Sequence, residues 1–336
     1  MKAAVLQAPG DLSVREVDDP VCPPGGLLIE VGACAVCASD LKMIRQGHRD
    51  LTYPRILGHE VAGAVIETDV EGFREGDRVQ VWPGLVCGTC PACSSGHDNL
   101  CPEQGILGFN CDGGFAQLMA VPAESVRGIA RLPPSLPFQT ACLAEPLACC
   151  VHAQDACGVG ELDTVLIAGA GPMGLLHLML ARSRGARVVV SEPDEARRRG
   201  ALALGADAVV DPANEDVAEV TLSASPGGAD VAILATPTAD IPSIFRAMAP
   251  LGRMCVFSGL PPGGGAELNL VHYRELTLVG AYGCTSASDH EAVRLIASGE
   301  VAAERLITME TSLDRITEGL RHAERREGLK CVVTKF

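Results

Sequence analysis

The feature that most constrains this chain is Cys87-Gly-Thr-Cys90-Pro-Ala-Cys93-Ser-Ser-Gly-His-Asp-Asn-Leu-Cys101, four thiols separated by two, two and seven residues. Four thiolates gathered by so short a glycine- and proline-punctuated loop make a closed tetrahedral site. That arrangement holds a structural zinc and leaves no position open for chemistry. His97 lies inside the loop and is the alternative donor to one thiol. Four unrelated cysteines, in a chain that has 15, are the bland alternative, and the tight spacing argues against it.

The 336 residues suffice for two domains of ordinary size, each able to bury a core. Aromatic residues are only 3%, so those cores are built from aliphatic side chains and alanine. A formal charge of −15 argues against nucleic acid and anionic membrane as partners, since both demand a basic face. Met1-Lys-Ala-Ala-Val-Leu turns polar at Gln7 and does not resemble a secretory signal. The longest apolar run, residues 165–181, is broken by three glycines, Pro172 and His177, so it reads as strand, turn and helix and not as a membrane span. Without a secretory signal the cysteines are expected to be metal ligands and reduced thiols, and the compartment the cytoplasm.

Residues 1–138 read as irregular all-β structure, with strands expected near 27–31, 61–68, 78–81 and 115–121 between Gly/Pro/Asp turns. Past Arg131-Leu-Pro-Pro the rhythm changes. An apolar helical stretch at 138–152 leads into strands at 164–168, 187–191, 208–210, 230–235, 253–258 and 276–280. Helices at 194–204 and 239–249 lie among them. Six strands with covering helices make a doubly wound parallel sheet of the Rossmann type, and hence an α/β fold. The tail, 288–336, returns to helix and a last strand at 330–335. The expected domains are therefore 1–138 (catalytic, with the zinc lobe at about 84–104), 139–285 (nucleotide-binding) and 286–336, returning to the first.

The first strand-to-helix turn of that sheet is Gly169-Ala-Gly171-Pro172-Met173-Gly174. In this context the first glycine makes a tight turn, the second lets a pyrophosphate approach the backbone, and the third lets helix pack on strand. The helix N-terminus then faces the phosphates. Glu192 ends the next strand, where a carboxylate can bond both adenosine ribose hydroxyls and repel a 2′-phosphate, so NAD is expected over NADP. Arg197 and its two arginine neighbours are the counter-argument, since a guanidinium there accommodates that phosphate.

Two more segments carry chemistry: Cys34-Ala-Val-Cys37-Ala-Ser39-Asp40 and Gly58-His59-Glu60. A thiolate, an imidazole and a carboxylate form an incomplete shell, as a catalytic zinc requires. Ala144-Glu145-Pro146-Leu147 offers a further carboxylate.

With these segments, the lobe and the 169–174 turn taken together, the chain resembles the zinc-dependent medium-chain dehydrogenases over essentially its whole length. It is most similar to the sorbitol and threonine dehydrogenase branch. The resemblance implies a GroES-like catalytic domain and two zinc ions per chain. Cys37, His59 and Glu60 would hold the catalytic one, with Glu145 as a fourth or exchanging ligand. Cys87, Cys90, Cys93 and Cys101 would hold the structural one. Ser39 would pass the substrate proton, and Cys34 matches a family position that is not a ligand. Where relatives often carry a relay histidine this chain has Lys42, and where many carry a glycine it has Asp69, which tolerates a left-handed turn. Ala281-Tyr282 lacks the arginine of the polyol branch, which weakens sorbitol itself and moves the reading toward the threonine-oxidising one.

The expected reaction is hydride transfer between a secondary alcohol and NAD, with a small polar substrate and a homo-oligomeric assembly, dimer or homotetramer. The polar surroundings, with His48 and Arg49, suit a polyol, cyclitol or amino alcohol. The basic trio Lys42, Arg49 and Arg55 suggests a phosphorylated or carboxylated substrate as an alternative. Two further readings are a non-catalytic nucleotide- or zinc-binding module, which a missing ligand would have favoured, and a metal-independent reductase, which would lack Cys37 and His59.

Overall fold

The computed structural model describes residues 1–261 and 268–336. The chain forms two units, Met1–Ala148 with Cys284–Phe336, and Cys149–Gly283. The first break thus follows Ala148 and not residue 138. Phe138–Ala141 is a short helix whose Phe138 ring lies over Gly32, where a Cβ would come within 2.2 Å of it, and under the Arg78 guanidinium at 3.9 Å. It is therefore part of the first unit's core. No helix among the described residues is long and apolar enough to cross a membrane.

The first unit is built on a seven-stranded sheet. Its path runs Ala130–Arg131, Arg78–Val81, Glu60–Thr68, Leu27–Ala35, Lys330–Lys335, Ile307–Ser312, with Leu118–Val121 also pairing Leu27–Ala35. The last strand of the sequence is thereby inserted beside one of the first, with Val332 opposite Ala35 and Val333 opposite Cys34. Register shifts at Leu28/Ile29 and Val31/Ala33 bend the Leu27–Ala35 strand where it meets Glu60–Thr68, as bulges do near functional sites. The chain then enters a helix that the sequence reading did not anticipate, Ala38–Gln46. Its first turn is set by Asp40, whose carboxylate accepts the Cys37 N–H at 2.8 Å, an acid where the helix start favours one. Asp69 takes no left-handed turn. Its carboxylate accepts the Gly25 N–H at 2.9 Å, and its φ is not positive.

The second unit is the expected parallel sheet, in the order Ala208–Val210, Arg187–Ser191, Thr164–Ala168, Ala229–Leu234, Met248–Val256, Thr277–Gly280. Thr164–Ala168 is buried along its length, as a central strand covered on both faces must be. The order reverses beside it, which puts the topological switch point at its carboxyl end. The helix expected to reach residue 249 ends at Ala247, and strand begins at Met248. Leu251 with φ +64 turns the chain inside that irregular strand, a conformation no helix contains.

Candidate active site

The helix start and the Glu60–Thr68 strand bring Cys37, His59 and Glu60 together. One ligand atom from each lies within 4.8 Å of the others. Gly58 makes this possible: it holds φ +93, and a Cβ there would stand 2.7 Å from the Cys34 sulfur and 3.0 Å from the Phe115 ring. Cys34 itself stays in the core and joins no metal-type cluster among the described residues.

Four groups support this cluster. Ser39 Oγ lies 3.4 Å from His59 Nε2. Asp40, fully buried, approaches His59 Nδ1 at 3.5 Å, and neither of those two atoms has a hydrogen bond of its own. A carboxylate on Nδ1 selects the tautomer whose Nε2 lone pair is free for a cation. Burial works against a charged His59, but Asp40 and the Cys37 thiol outweigh it and hold the ring well above the usual histidine range. This donor set draws positive charge, so its chemistry fits a zinc ion.

The third supporting group escaped the sequence reading. Lys330, delivered by the inserted last strand, places Nζ 2.5 Å from the Glu60 carboxylate and donates to the Val36 carbonyl at 3.3 Å. Both side chains are almost wholly buried. Burial opposes the lysine's charge, but Glu60 and Cys37 hold it on. The only signal in the sequence was a basic residue opening a strand whose next three residues, Cys331, Val332 and Val333, are apolar. Half-buried Glu145 lies in the first turn of the helix Ala144–Ala156 and is not grouped with Cys37, His59 and Glu60, its carboxylate lying within 4.8 Å of the Cys284 sulfur instead. Burial pushes its carboxyl up to about 7, with Glu60 and Asp40 adding to the rise and His59 and Lys330 opposing it. Lys42 is exposed, one helical turn beyond Ser39.

Two members of the basic trio stand beside carboxylates. Arg55 bonds Asp112 at 2.8 Å and Thr52 at 2.8 Å, and Arg49 lies 3.7 Å from Asp50. His48 stacks edge-on against Phe109, and Phe109 against His59, each at 5.5 Å between centroids.

The sulfur atoms of Cys87, Cys90, Cys93 and Cys101 also lie within 4.8 Å of one another, with Cys87 and Cys101 at 3.6 Å. Zinc–sulfur bonds of about 2.3 Å need this proximity. Backbone N–H groups of Thr89 and Cys90 pull the Cys87 thiol down to about 6, while burial pushes Cys93 up to about 12. His97 is exposed and outside the cluster.

In the second unit the glycine turn has the expected anatomy. Gly169 has φ +102 and donates its N–H to Ser191 at 2.7 Å. Open space surrounds the missing Cβ of Gly171, whereas one on Gly174 would lie 1.9 Å from the Gly169 carbonyl. Pro172 starts the helix Pro172–Ser183, and no side chain caps its N-terminus, which leaves backbone donors for an anion. Met173 follows, its carbonyl accepting the Cys150 thiol at 3.7 Å. Glu192 is buried and accepts the Ala170 N–H at 2.7 Å and the Asp194 N–H at 3.1 Å. Of the three arginines, Arg198 pairs with Asp211 and Arg199 with Glu195. Arg197 has no ion pair among the described residues.

Residues 23–133 match the alcohol dehydrogenase GroES-like domain, and residues 172–298 match the zinc-binding dehydrogenase family. An L-threonine 3-dehydrogenase of Pyrococcus furiosus is 37% identical over 87% of this chain and 86% of its own length. The chain belongs to the zinc-dependent medium-chain dehydrogenases. Within that family, a D-arabitol-phosphate dehydrogenase of Enterococcus avium is 33% identical over 95% of both chains. A Sinorhizobium meliloti structure described as a zinc-binding dehydrogenase and bound to NADP superposes with a TM-score of 0.91, at 33% identity, over 99% of this chain and 98% of that one. As a medium-chain dehydrogenase the protein is a zinc- and NAD(H)-linked oxidoreductase of a CH–OH/C=O pair, and its two clusters accord with one catalytic and one structural zinc.

Proposed function

We propose that this medium-chain dehydrogenase interconverts a secondary alcohol of the polyol, cyclitol or amino-alcohol type and its ketone, with NAD as hydride carrier. The observation that carries the reading is the convergence of Cys37, His59 and Glu60, with the Ser39 hydroxyl 3.4 Å from His59. In this reading the first unit is catalytic and the second binds the nucleotide. Cys37, His59 and Glu60 hold the reactive zinc, Glu145 serves as exchanging ligand, and the four cysteines hold the structural ion. A zinc ion bound here supplies Lewis-acid stabilisation of negative charge on the substrate oxygen.

The chain's own groups do the rest. Ser39 accepts the hydroxyl proton at Oγ while it gives up its own to solvent, with Lys42 one turn further along the same helix at the exposed end of that path. Asp40 orients His59, and Lys330 holds Glu60 in place while compensating its charge. Gly171 and the uncapped helix start bind the pyrophosphate, and Glu192 faces the adenosine ribose. The carboxylate at Glu192 supports NAD. Arg197 and the NADP of the Sinorhizobium meliloti structure are the grounds for testing NADP beside it.

With Arg55 and Arg49 beside carboxylates, an unphosphorylated substrate is favoured. The threonine-oxidising relative supports an amino alcohol among the candidates. A cytosolic homo-oligomer, dimer or tetramer, completes the proposal.

The test is NADH absorbance with a panel of polyols, cyclitols, 3-hydroxy amino acids and sugar-alcohol phosphates, on protein of measured zinc content. Turnover of a secondary alcohol with kcat/KM higher for NAD than for NADP supports the reading. No turnover of any panel member by protein carrying two zinc ions per chain overturns it. Sizing of the same sample by light scattering checks the assembly, and a monomer refutes that part.

A further inference from the structure

One buried side chain of the four-cysteine loop does not face the cluster. Asp98, its side chain 3% exposed, points both carboxylate oxygens at the segment that opens the last part of the first unit. Oδ1 accepts the Ser286 N–H at 3.1 Å and Oδ2 accepts the Ser286 hydroxyl at 2.5 Å. Its own carbonyl accepts the Cys101 N–H at 3.1 Å, so the same residue is tied to a thiol donor. The nearest cation recorded, Arg127, stands 4.0 Å away. A carboxylate so deeply buried is costly unless its lone pairs are met. Here the start of the twelve-residue helix Ser286–Ala297 meets them, where helix polarity favours an anion.

Two other side chains hold the same segment. Trp82 Nε1 donates to the Cys284 carbonyl at 3.3 Å, and Gln80 Nε2 donates to buried Asp289 at 3.2 Å. The Cys284 sulfur lies within 4.8 Å of a Glu145 carboxylate oxygen. A continuous set of contacts therefore leads from the four-cysteine cluster through Asp98 and Ser286 to Cys284, and from there to the carboxylate assigned above as exchanging ligand.

We infer that Asp98 is a positioning residue, which couples the closed four-cysteine site to the reactive cluster by fixing residues 284–289 behind Glu145. The inference rests on the functional reading for the role of Glu145, but not for the contacts themselves. It gives the lobe a task that its lack of an open coordination position would otherwise deny it. The lobe sets the geometry of a site to which it contributes no donor.

The experiment uses the full chain with cobalt in the reactive site and zinc in the lobe. Asp98→Ala is expected to retain both metals and the far-ultraviolet dichroism. It should shift the visible cobalt bands and lower kcat by up to about 10-fold, the lower end of what losing a direct outer partner of a metal site does. Ser286→Ala, which leaves the lobe untouched, should move both readouts in the same direction by less, and Asp98→Glu should recover part of the loss. Asp163→Asn, which breaks an ion pair with Arg253 in the other unit, serves as the control for lost stability and should leave the cobalt spectrum alone. Wild-type spectrum and kcat in metal-replete Asp98→Ala would overturn the inference. If that variant sheds its lobe zinc, Ser286→Ala decides, and an unchanged spectrum there overturns it equally. Wild-type protein that shows cobalt bands yet oxidises no alcohol would sink the functional reading instead, while the spectral arm still tests the coupling.

Discussion

The four-cysteine cluster and the Cys37, His59 and Glu60 cluster are assembled in opposite ways. The four-cysteine site takes all its donors from one loop, residues 87–101, and two of its thiols are only half-buried. The reactive site takes Cys37 from a helix start, Glu60 from the first position of a strand and His59 from the residue before it, and it needs Asp40 and Lys330 to balance them. A loop closing on itself fixes its own geometry. A site collected from a sheet inherits its geometry from the whole unit, and each charge it buries must be met by another brought from elsewhere.

The largest departure from this contrast should come at Lys330. In metal-free protein Lys330→Met leaves Glu60 buried without its cation, which costs about 3–5 kcal/mol. Urea denaturation should show the loss, and Glu60→Gln/Lys330→Met should recover much of it. A single variant as stable as wild type would mean that the pair contributes nothing. Next in size is the separation of the two ions. Cys37→Ser should lower turnover by more than about 100-fold, beyond the range seen for outer partners alone, while elemental analysis finds the lobe zinc retained. Cys93→Ser should shed the lobe zinc and lower Tm, with the reactive-site metal still bound. Loss of both ions from either variant would erase the distinction. Asp40→Asn should weaken the reactive-site metal by about 10- to 100-fold, read by competition with a chelator, and leave the lobe's affinity unchanged.

The smallest effect is a difference in sign. In metal-free protein the Glu145 carboxyl, raised from 4.5 to about 7, binds more protons folded than unfolded between those values. Its contribution to stability is full below about 4.5 and is lost as the pH rises through about 7. Cys87, lowered from 9.0 to about 6, behaves oppositely. Its contribution is full above 9.0 and is lost as the pH falls through about 6. Tm against pH for Glu145→Gln and Cys87→Ser should therefore lose slopes of opposite sign. Matching slopes would show that the two clusters feel the same environment.

The same contrast explains what could be read in the sequence. Thiol spacing states the lobe outright, because its geometry is local. The glycine turn was equally legible, since Gly169, Gly171 and Gly174 each answer a steric demand of a strand-turn-helix. The parallel sheet followed from continuous apolar runs such as Thr164–Ala168. Cys37, His59 and Glu60 stood out as donors of the right kind, but their assignment to one ion came through the resemblance, because no local rule joins a cysteine to a histidine on a different element. Lys330 was missed because it meets Glu60 across 270 residues. Asp98 was passed over because a carboxylate among thiols reads as a turn residue until its partner, Ser286, is seen. The helix Ala38–Gln46 was missed because Ser39, Asp40, Lys42, Arg45 and Gln46 give it too weak an apolar stripe.

The insertion of Lys330–Lys335 beside Leu27–Ala35 imposes a schedule on a growing polypeptide. Cys37, His59 and Glu60 are synthesised long before the ammonium group that steadies Glu60, which comes 270 residues after it. A nascent chain therefore carries the donors for hundreds of residues without the means to hold them in place. The working geometry of that site is then complete only once the strand carrying Lys330 has joined the sheet.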